Sequence, residues 1–359
     1  MKALQIGDLN IKLPIVQGGM GIGISMSRLA SAVANEGGVG VIAAVGIGMF
    51  EKDYARDFVQ ANIRALKREI QIAREKTSGI IGVNIMVALT NFSDMVKTAI
   101  AEKVDIIFSG AGLPMNLPEY LIEGAKTKLV PIVSSGRAAD IICKKWKQLY
   151  NYLPDAFVVE GPKAGGHLGF KRDQIDNPDY ALEKLVPDVV SHIKPYEEQF
   201  NVKIPVIAAG GIYTGSDIKK IMDLGASGVQ MGTRFVTTNE CDASENFKQT
   251  YINSVESDME IIQSPVGMPG RAIRNEFIEK INRGEKKPVK CPYKCLKTCD
   301  FEKTPYCIFA ALMSAMKGNF LNGYAFAGAN AFRTTKIISV KETFESIIQE
   351  FKEAISGKN

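Results

Sequence analysis

Histidine is almost absent from this chain: His167 and His192 are the only two in 359 residues. With no second histidine and no group of carboxylates beside His167, a histidine-based metal centre there is excluded. Tryptophan occurs once, as Trp146, in an amphipathic stretch where it reads as packing. No apolar run reaches the roughly 18 residues that a membrane helix needs. The opening MKALQIGDLNIKLPIVQGG shows no basic segment followed by an apolar stretch and a small-residue cleavage site, so a cytoplasmic protein with no membrane partner is expected. Charge of one sign is also scarce, since 44 Lys+Arg against 39 Asp+Glu leave a net +5. The two signs are interspersed, which leaves no footprint for nucleic acid. A dinucleotide fingerprint is missing too, because the glycines of Gln17-Gly18-Gly19-Met20-Gly21-Ile22-Gly23 fit GxGxxG poorly.

What is present is a long alternation of short apolar runs and amphipathic ones. Strands are expected at Ile15–Gln17, Val39–Ala43, Ile80–Ile85, Asp105–Phe108, Val130–Val133, Ala156–Val159, Pro205–Ala209 and Gly228–Met231. Their Val- and Ile-rich, nearly all-apolar character is that of parallel strands buried on both faces. Helices are expected at Met26–Asn35, Ala55–Lys76, Phe92–Glu102, Pro118–Ala125, Ala138–Leu149, Tyr180–Phe200 and Ser216–Leu224. Eight strands with helical crossovers favour an α/β fold of the closed (β/α)₈ TIM-barrel type over an open doubly wound sheet. From about Ser257 to Ala329 the alternation breaks down into a segment rich in Pro, Gly, Lys and Cys. Residues 257–329 are expected to form a Cys-containing lobe or lid inserted after strand 8. Residues 1–256 and 330–359 then make the barrel, with a last helix over Val340–Ile355 packed on its wall.

In a barrel the loops after the strand ends converge on one face. Gly18-Gly19-Met20, Asn84, Gly110-Ala111-Gly112, Ser134-Ser135-Gly136, Glu160–Gly169, Gly210-Gly211 and Gly232-Thr233 would then surround one cavity. Two of these ends stand out. The strand ending at Ala209 releases into Gly210-Gly211, and the strand ending at Met231 releases into Gly232-Thr233. Backbone N–H groups from two such turns, beside the N-terminus of the helix at Ser216, can hold a phosphate. The run Glu160-Gly161-Pro162-Lys163-Ala164-Gly165-Gly166-His167-Leu168-Gly169 places a histidine among glycines at a strand end, facing the cavity, where imidazole can exchange a proton. His192 reads only as a helix residue. Lys163, Lys171 and Arg172 read as solvated loop charges that could also meet a phosphate. One titratable histidine and many backbone donors are too little for hard chemistry alone, so a cofactor is expected. A single phosphate grip without a dinucleotide fingerprint favours FMN over FAD.

Together, LPIVQGGMG, AGGHLG, AAGGIYTGSDIKKIMDLGASGVQMGTRF and GMPGRAIRNEF resemble the nitronate monooxygenase (2-nitropropane dioxygenase-like) family, which includes the FMN-dependent enoyl-acyl-carrier-protein reductases of bacteria. The resemblance runs from about Leu13 to Phe277. It implies an FMN-binding TIM barrel in which Gly210, Gly211, Gly232 and Thr233 grip the phosphate. It also implies that Gly18, Gly19 and Met20 run along the flavin ring, that Asn84 contacts it, and that Met231 and Gly166 lie at the cofactor. His167 matches the family's active-site histidine. The expected activity is oxidation of alkyl nitronates with oxygen. The alternative is an enoyl-thioester reductase that uses NAD(P)H as co-substrate. A flavin or metal redox sensor without turnover is the reading from a different class. The corresponding partners are a small-molecule or acyl-thioester substrate, and a homodimer is left open.

Six cysteines are present, and four of them, Cys291, Cys295, Cys299 and Cys307, lie in a C-x3-C-x3-C-x7-C run. Four thiolates so spaced could close around a [4Fe–4S] cluster or a tetrahedral zinc, although the spacing is the C-x2-C of neither standard motif. Reduced structural thiols or a redox pair are the alternatives. A helix over Cys291–Cys299 would bring three of the four onto one face, with Pro292 tolerated only at its start.

Overall fold

The computed structural model describes residues 1–287, 291 and 293–357. Eight parallel strands close into a barrel: β1 (Ile15–Gln17), β2 (Val39–Ala43), β3 (Ile80–Met86), β4 (Ile106–Gly110), β5 (Lys128–Val133), β6 (Phe157–Glu160), β7 (Val206–Ala209) and β8 (Gly228–Met231). Each strand pairs with the next, and β8 returns to β1 through Val229–Ile15 and Met231–Gln17. The fold is a TIM barrel, and its strands follow the apolar runs because both faces of each strand are buried.

Two buried layers result. Val16, Val41, Phe108, Val130, Val158 and Ile207 fill the barrel interior. A larger layer lies between the strands and the surrounding helices, with Trp146 wholly buried in it. The interior is closed at its N-terminal end by an unanticipated hairpin, Leu4–Ile6 paired with Leu9–Ile11. Leu4, Ile6 and Ile11 join the interior cluster directly. Gly7 (φ +55°) and Asp8 make the two-residue turn, a signal for a tight hairpin that strands of only three residues obscure.

Between β4 and β5 the expected helix over Pro118–Ala125 is reduced to a 3₁₀ turn, Leu117–Tyr120. The chain must reach Lys128 within a few residues, and Leu121 already turns extended (φ −66°, ψ 125°), which ends the run. Trp146 ties this loop down by donating from Nε1 to Pro114 O at 3.0 Å.

Residues 257–329 contain regular structure that periodicity did not show. β9 (Met259–Gln263) and β10 (Pro269–Ile273) form an antiparallel hairpin, and β10 pairs further with the two-residue strand Gly166–His167. Phe277 and Tyr324 from this segment enter the same buried layer as the outer face of the barrel. Residues 288–290, within it, and residues 358–359 of the expected barrel portion lie outside the described residues, as does Pro292. The C-terminal helix Val340–Ser356 lies on helix Gly215–Asp223. Glu350 joins the two by accepting from Gly215 N–H at 2.8 Å and pairing with Arg234 at 3.3 Å. Among the described residues no helix is long and apolar enough to cross a membrane.

Candidate active site

The C-terminal ends of the strands open into one cavity of about 300 Å³. Gly18, Gly19 and Met20 after β1, Asn84 in β3, and Gly166 and His167 after β6 all line it. So do Gly210 and Gly211 after β7 and Met231, Gly232 and Thr233 at the end of β8. Gln17 pins the first of these turns, since its side-chain amide donates to Gly18 O while its Oε1 accepts from Val41 N–H at 2.9 Å.

Two close approaches require glycine. A Cβ on Gly19 would overlap the Asn84 side chain, so the β1 turn lies flush against β3. Gly210 (φ +96°) and Gly211 (φ +84°) sit where an L side chain is strained, and a Cβ on Gly211 would come within 2.8 Å of Lys163 Cβ. Lys163 itself lines the cavity.

The structure corrects three expectations around this cavity. Most of the N-terminus of helix Gly215–Asp223 is already engaged. Thr214 Oγ1 accepts from Asp217 N–H, Asp217 Oδ2 accepts from Tyr213 and Thr214 N–H, and Glu350 takes Gly215 N–H. Second, Gly112 and Ser134-Ser135-Gly136 are not in the cavity wall. Ser135 instead caps helix Gly136–Tyr150 by accepting from Ala138 N–H at 3.2 Å, and Gly136 N–H is held by Asp188 at 2.6 Å. Third, Leu168 and Gly169, the end of the histidine loop, lie outside the wall, as do Lys171 and Arg172. Arg172 faces Asp176 at 3.6 Å, both largely exposed.

The sequence-remote wall is the larger surprise. Tyr251, Phe326 and Gly328 line the same cavity, and Ser264 at the turn of the β9–β10 hairpin reaches His167, with Oγ 2.7 Å from Nε2. Phe326 meets the imidazole edge-on at 5.1 Å between centroids. Burial holds His167 down at about 4, so the ring is neutral at neutral pH. Ser264 Oγ also accepts from Val266 N–H at 3.3 Å. When the serine hydroxyl donates to Nε2, the proton of the neutral ring sits on Nδ1. Glu160, at the end of β6, is the second titratable group of the wall. Its side chain borders the cavity yet is surrounded by protein atoms, and burial pushes it up to about 7. His192, in helix Leu182–Phe200, faces Asp188 O at 2.8 Å and takes no part.

The family model for nitronate monooxygenase matches residues 2–350. The chain belongs to the nitronate monooxygenase family. Among its relatives, a probable nitronate monooxygenase of Staphylococcus aureus (strain JH9) is 30% identical over 313 residues, covering 77% of this chain and 79% of that protein. The counterpart from strain Newman is 31% identical over the same span. FabK from Thermotoga maritima superposes with a TM-score of 0.73 at 30% identity, covering 97% of this chain and 95% of that one. Nitroalkane oxidase from Streptomyces ansochromogenes superposes equally well (TM-score 0.73, 97% and 98% covered), but at 21% identity it speaks for the fold alone. As a member of the nitronate monooxygenase family the chain is a flavin oxidoreductase that uses FMN.

Cys143 and Cys241 are buried single thiols, and the other four cysteines are half-buried and free. Cys291, Cys295, Cys299 and Cys307 line one small second cavity. The described residues of Cys291–Cys299 do not form the helix that would put three of these cysteines on one face; they make turns, with Leu296 bridging to Leu89. Among the described residues no three His, Cys, Asp or Glu side chains are grouped so as to hold a metal ion.

Proposed function

We propose that this protein oxidises alkyl nitronates with oxygen at FMN held beside His167. The observation that carries the reading is the neutral, serine-anchored imidazole in the wall of the cavity at the strand ends. The cavity suits the cofactor on its own geometry. The flush contact of Gly19 with Asn84 leaves room for a flat ring, and the turns at Gly210-Gly211 and Gly232-Thr233 leave backbone donors for one phosphate. FMN bound there supplies an electron-accepting ring and reactivity toward oxygen. Gly18, Gly19, Met20 and Asn84 would lie along that ring, with Gly166 beside it.

The chain's own contribution is positioning and charge. A nitronate enters as an anion and needs hydrogen-bond donors near its oxygens, not a strong base. Nδ1–H of His167 is such a donor, since among the described residues no partner engages it. Phe326 and Ser264 hold the ring in place. Purified, FMN-loaded protein incubated with propionate 3-nitronate should consume oxygen, and no consumption overturns the proposal.

The likeness to FabK over 97% of the chain favours a second reading, the enoyl-thioester reductase branch of the family. Here NADH or NADPH should bleach the flavin anaerobically, and a crotonyl-thioester should restore its colour. Failure of both steps removes this branch.

A further inference from the structure

We propose that Cys291, Cys295, Cys299 and Cys307 ligate an iron–sulfur cluster of the [4Fe–4S] type, set one side-chain layer from the flavin cavity. Four residues spread over a C-x3-C-x3-C-x7-C run converge on a single cavity, where Leu296, Phe301, Ile308 and Phe309 supply an apolar wall. None of the four is in a disulfide. Four free thiols gathered in one enclosure form a ligand set for a soft metal.

The geometry separates the two metals that four thiolates suit. A single zinc draws its sulfurs to about 2.3 Å from one point. Among the described residues no group of three such side chains is arranged to hold a single metal ion. A cubane cluster takes its four sulfurs at the corners of a larger tetrahedron, one per iron, and so accepts ligands arrayed around a cavity without meeting at its centre. The segment is fixed against the barrel independently of any metal. Thr90 N–H donates to Cys295 O at 3.1 Å, and Lys297 N–H donates to Ala88 O at 2.9 Å. Lys297 Nζ adds a bond to Val87 O at 2.9 Å. These contacts seat the cysteines on the loop that follows β3.

Position gives the site its interest. Leu296, Ile308 and Phe309 line both cavities, one face toward the cysteines and the other toward the strand ends. The site does not depend on whether the substrate is a nitronate or an enoyl thioester.

The test is elemental analysis of the full-length protein purified without oxygen, before and after reconstitution with ferrous iron and sulfide. About four irons and four acid-labile sulfides per chain are expected, with a paramagnetic signal on dithionite reduction. Zinc at one per chain without sulfide overturns the proposal, and so does failure to take up iron on reconstitution. Cys299→Ser and Cys307→Ser should each lose more than half the iron while retaining FMN. Retention of full iron by both overturns the ligand assignment. If the variants do not fold, as judged by FMN content, metal analysis of the unaltered protein still decides.

Discussion

Ser264 Oγ stands 2.7 Å from His167 Nε2 across 97 positions of sequence. The contact exists because β10 pairs with Gly166–His167, Gly270 opposite His167, which brings the hairpin turn over the histidine loop. It turns a histidine among glycines into a ring of defined orientation.

Replacing His167 with Ala should lower kcat/KM for the nitronate by roughly 10²–10³, the usual worth of one positioned hydrogen-bond donor in an active site. Ser264→Ala should cost less, roughly tenfold, because the ring stays while its tautomer is no longer selected. Steady-state oxygen consumption by FMN-loaded protein checks both. Equal losses would mean that Ser264 does more than position.

The pH dependence of stability follows from the lowered His167 value. The unfolded chain protonates this histidine near 6.5, whereas the folded ring stays neutral down to about 4. Its contribution is present above pH 6.5 and is lost as pH falls toward 4. His167→Gln should flatten that part of the profile in urea titrations. The wild-type activity profile should show no histidine step near 6.5.

Glu160 has the opposite sign. Its folded value near 7 lies above the ordinary 4.5, so the folded state holds the proton more tightly. Stability from this group is greatest below pH 4.5 and falls as pH rises toward 7. Glu160→Gln should remove that fall, and any step near pH 7 in kcat/KM should vanish with it. Urea midpoints and rate profiles from pH 4 to 9 provide the measurements.

Gly211→Ala places a side chain at φ +84° against Lys163. A cost of about 1–3 kcal/mol is expected for the strained backbone, together with loss of flavin on gel filtration. Gly19→Ala should also lose flavin, because the β1 turn must move off Asn84. Flavin absorbance per chain reads both.

Glu350→Ala strips a partner from Arg234, whose side chain is only 10% exposed, and leaves Gly215 N–H without its acceptor. A loss of about 1–3 kcal/mol is expected, measured by urea unfolding, with the flavin spectrum unchanged.

Much of the frame was legible in order. Val39–Ala43 and Gly228–Met231 are strands with the bounds that their apolar runs suggest, because a parallel strand buried on both faces admits little else. The glycine turn after β7 was legible for a similar reason, since positive φ at Gly210 and Gly211 selects a residue type. The Leu4–Ile6 hairpin and the β9–β10 hairpin were not. Short antiparallel strands depend on a partner elsewhere, and Pro269 and Gly270 carry none of the usual strand signal.

Sequence by itself determined a barrel of eight buried strands and which strand ends carry glycines able to face an anion. It also placed one histidine on the face where the strand ends open, because local patterning is enough to set burial and backbone conformation. Only the tertiary structure decided what that histidine is: a neutral ring, held by Ser264 and Phe326 from a hairpin and a loop far along the chain. Ionisation and tautomer depend on desolvation and hydrogen-bond partners, and these exist only once distant segments have met.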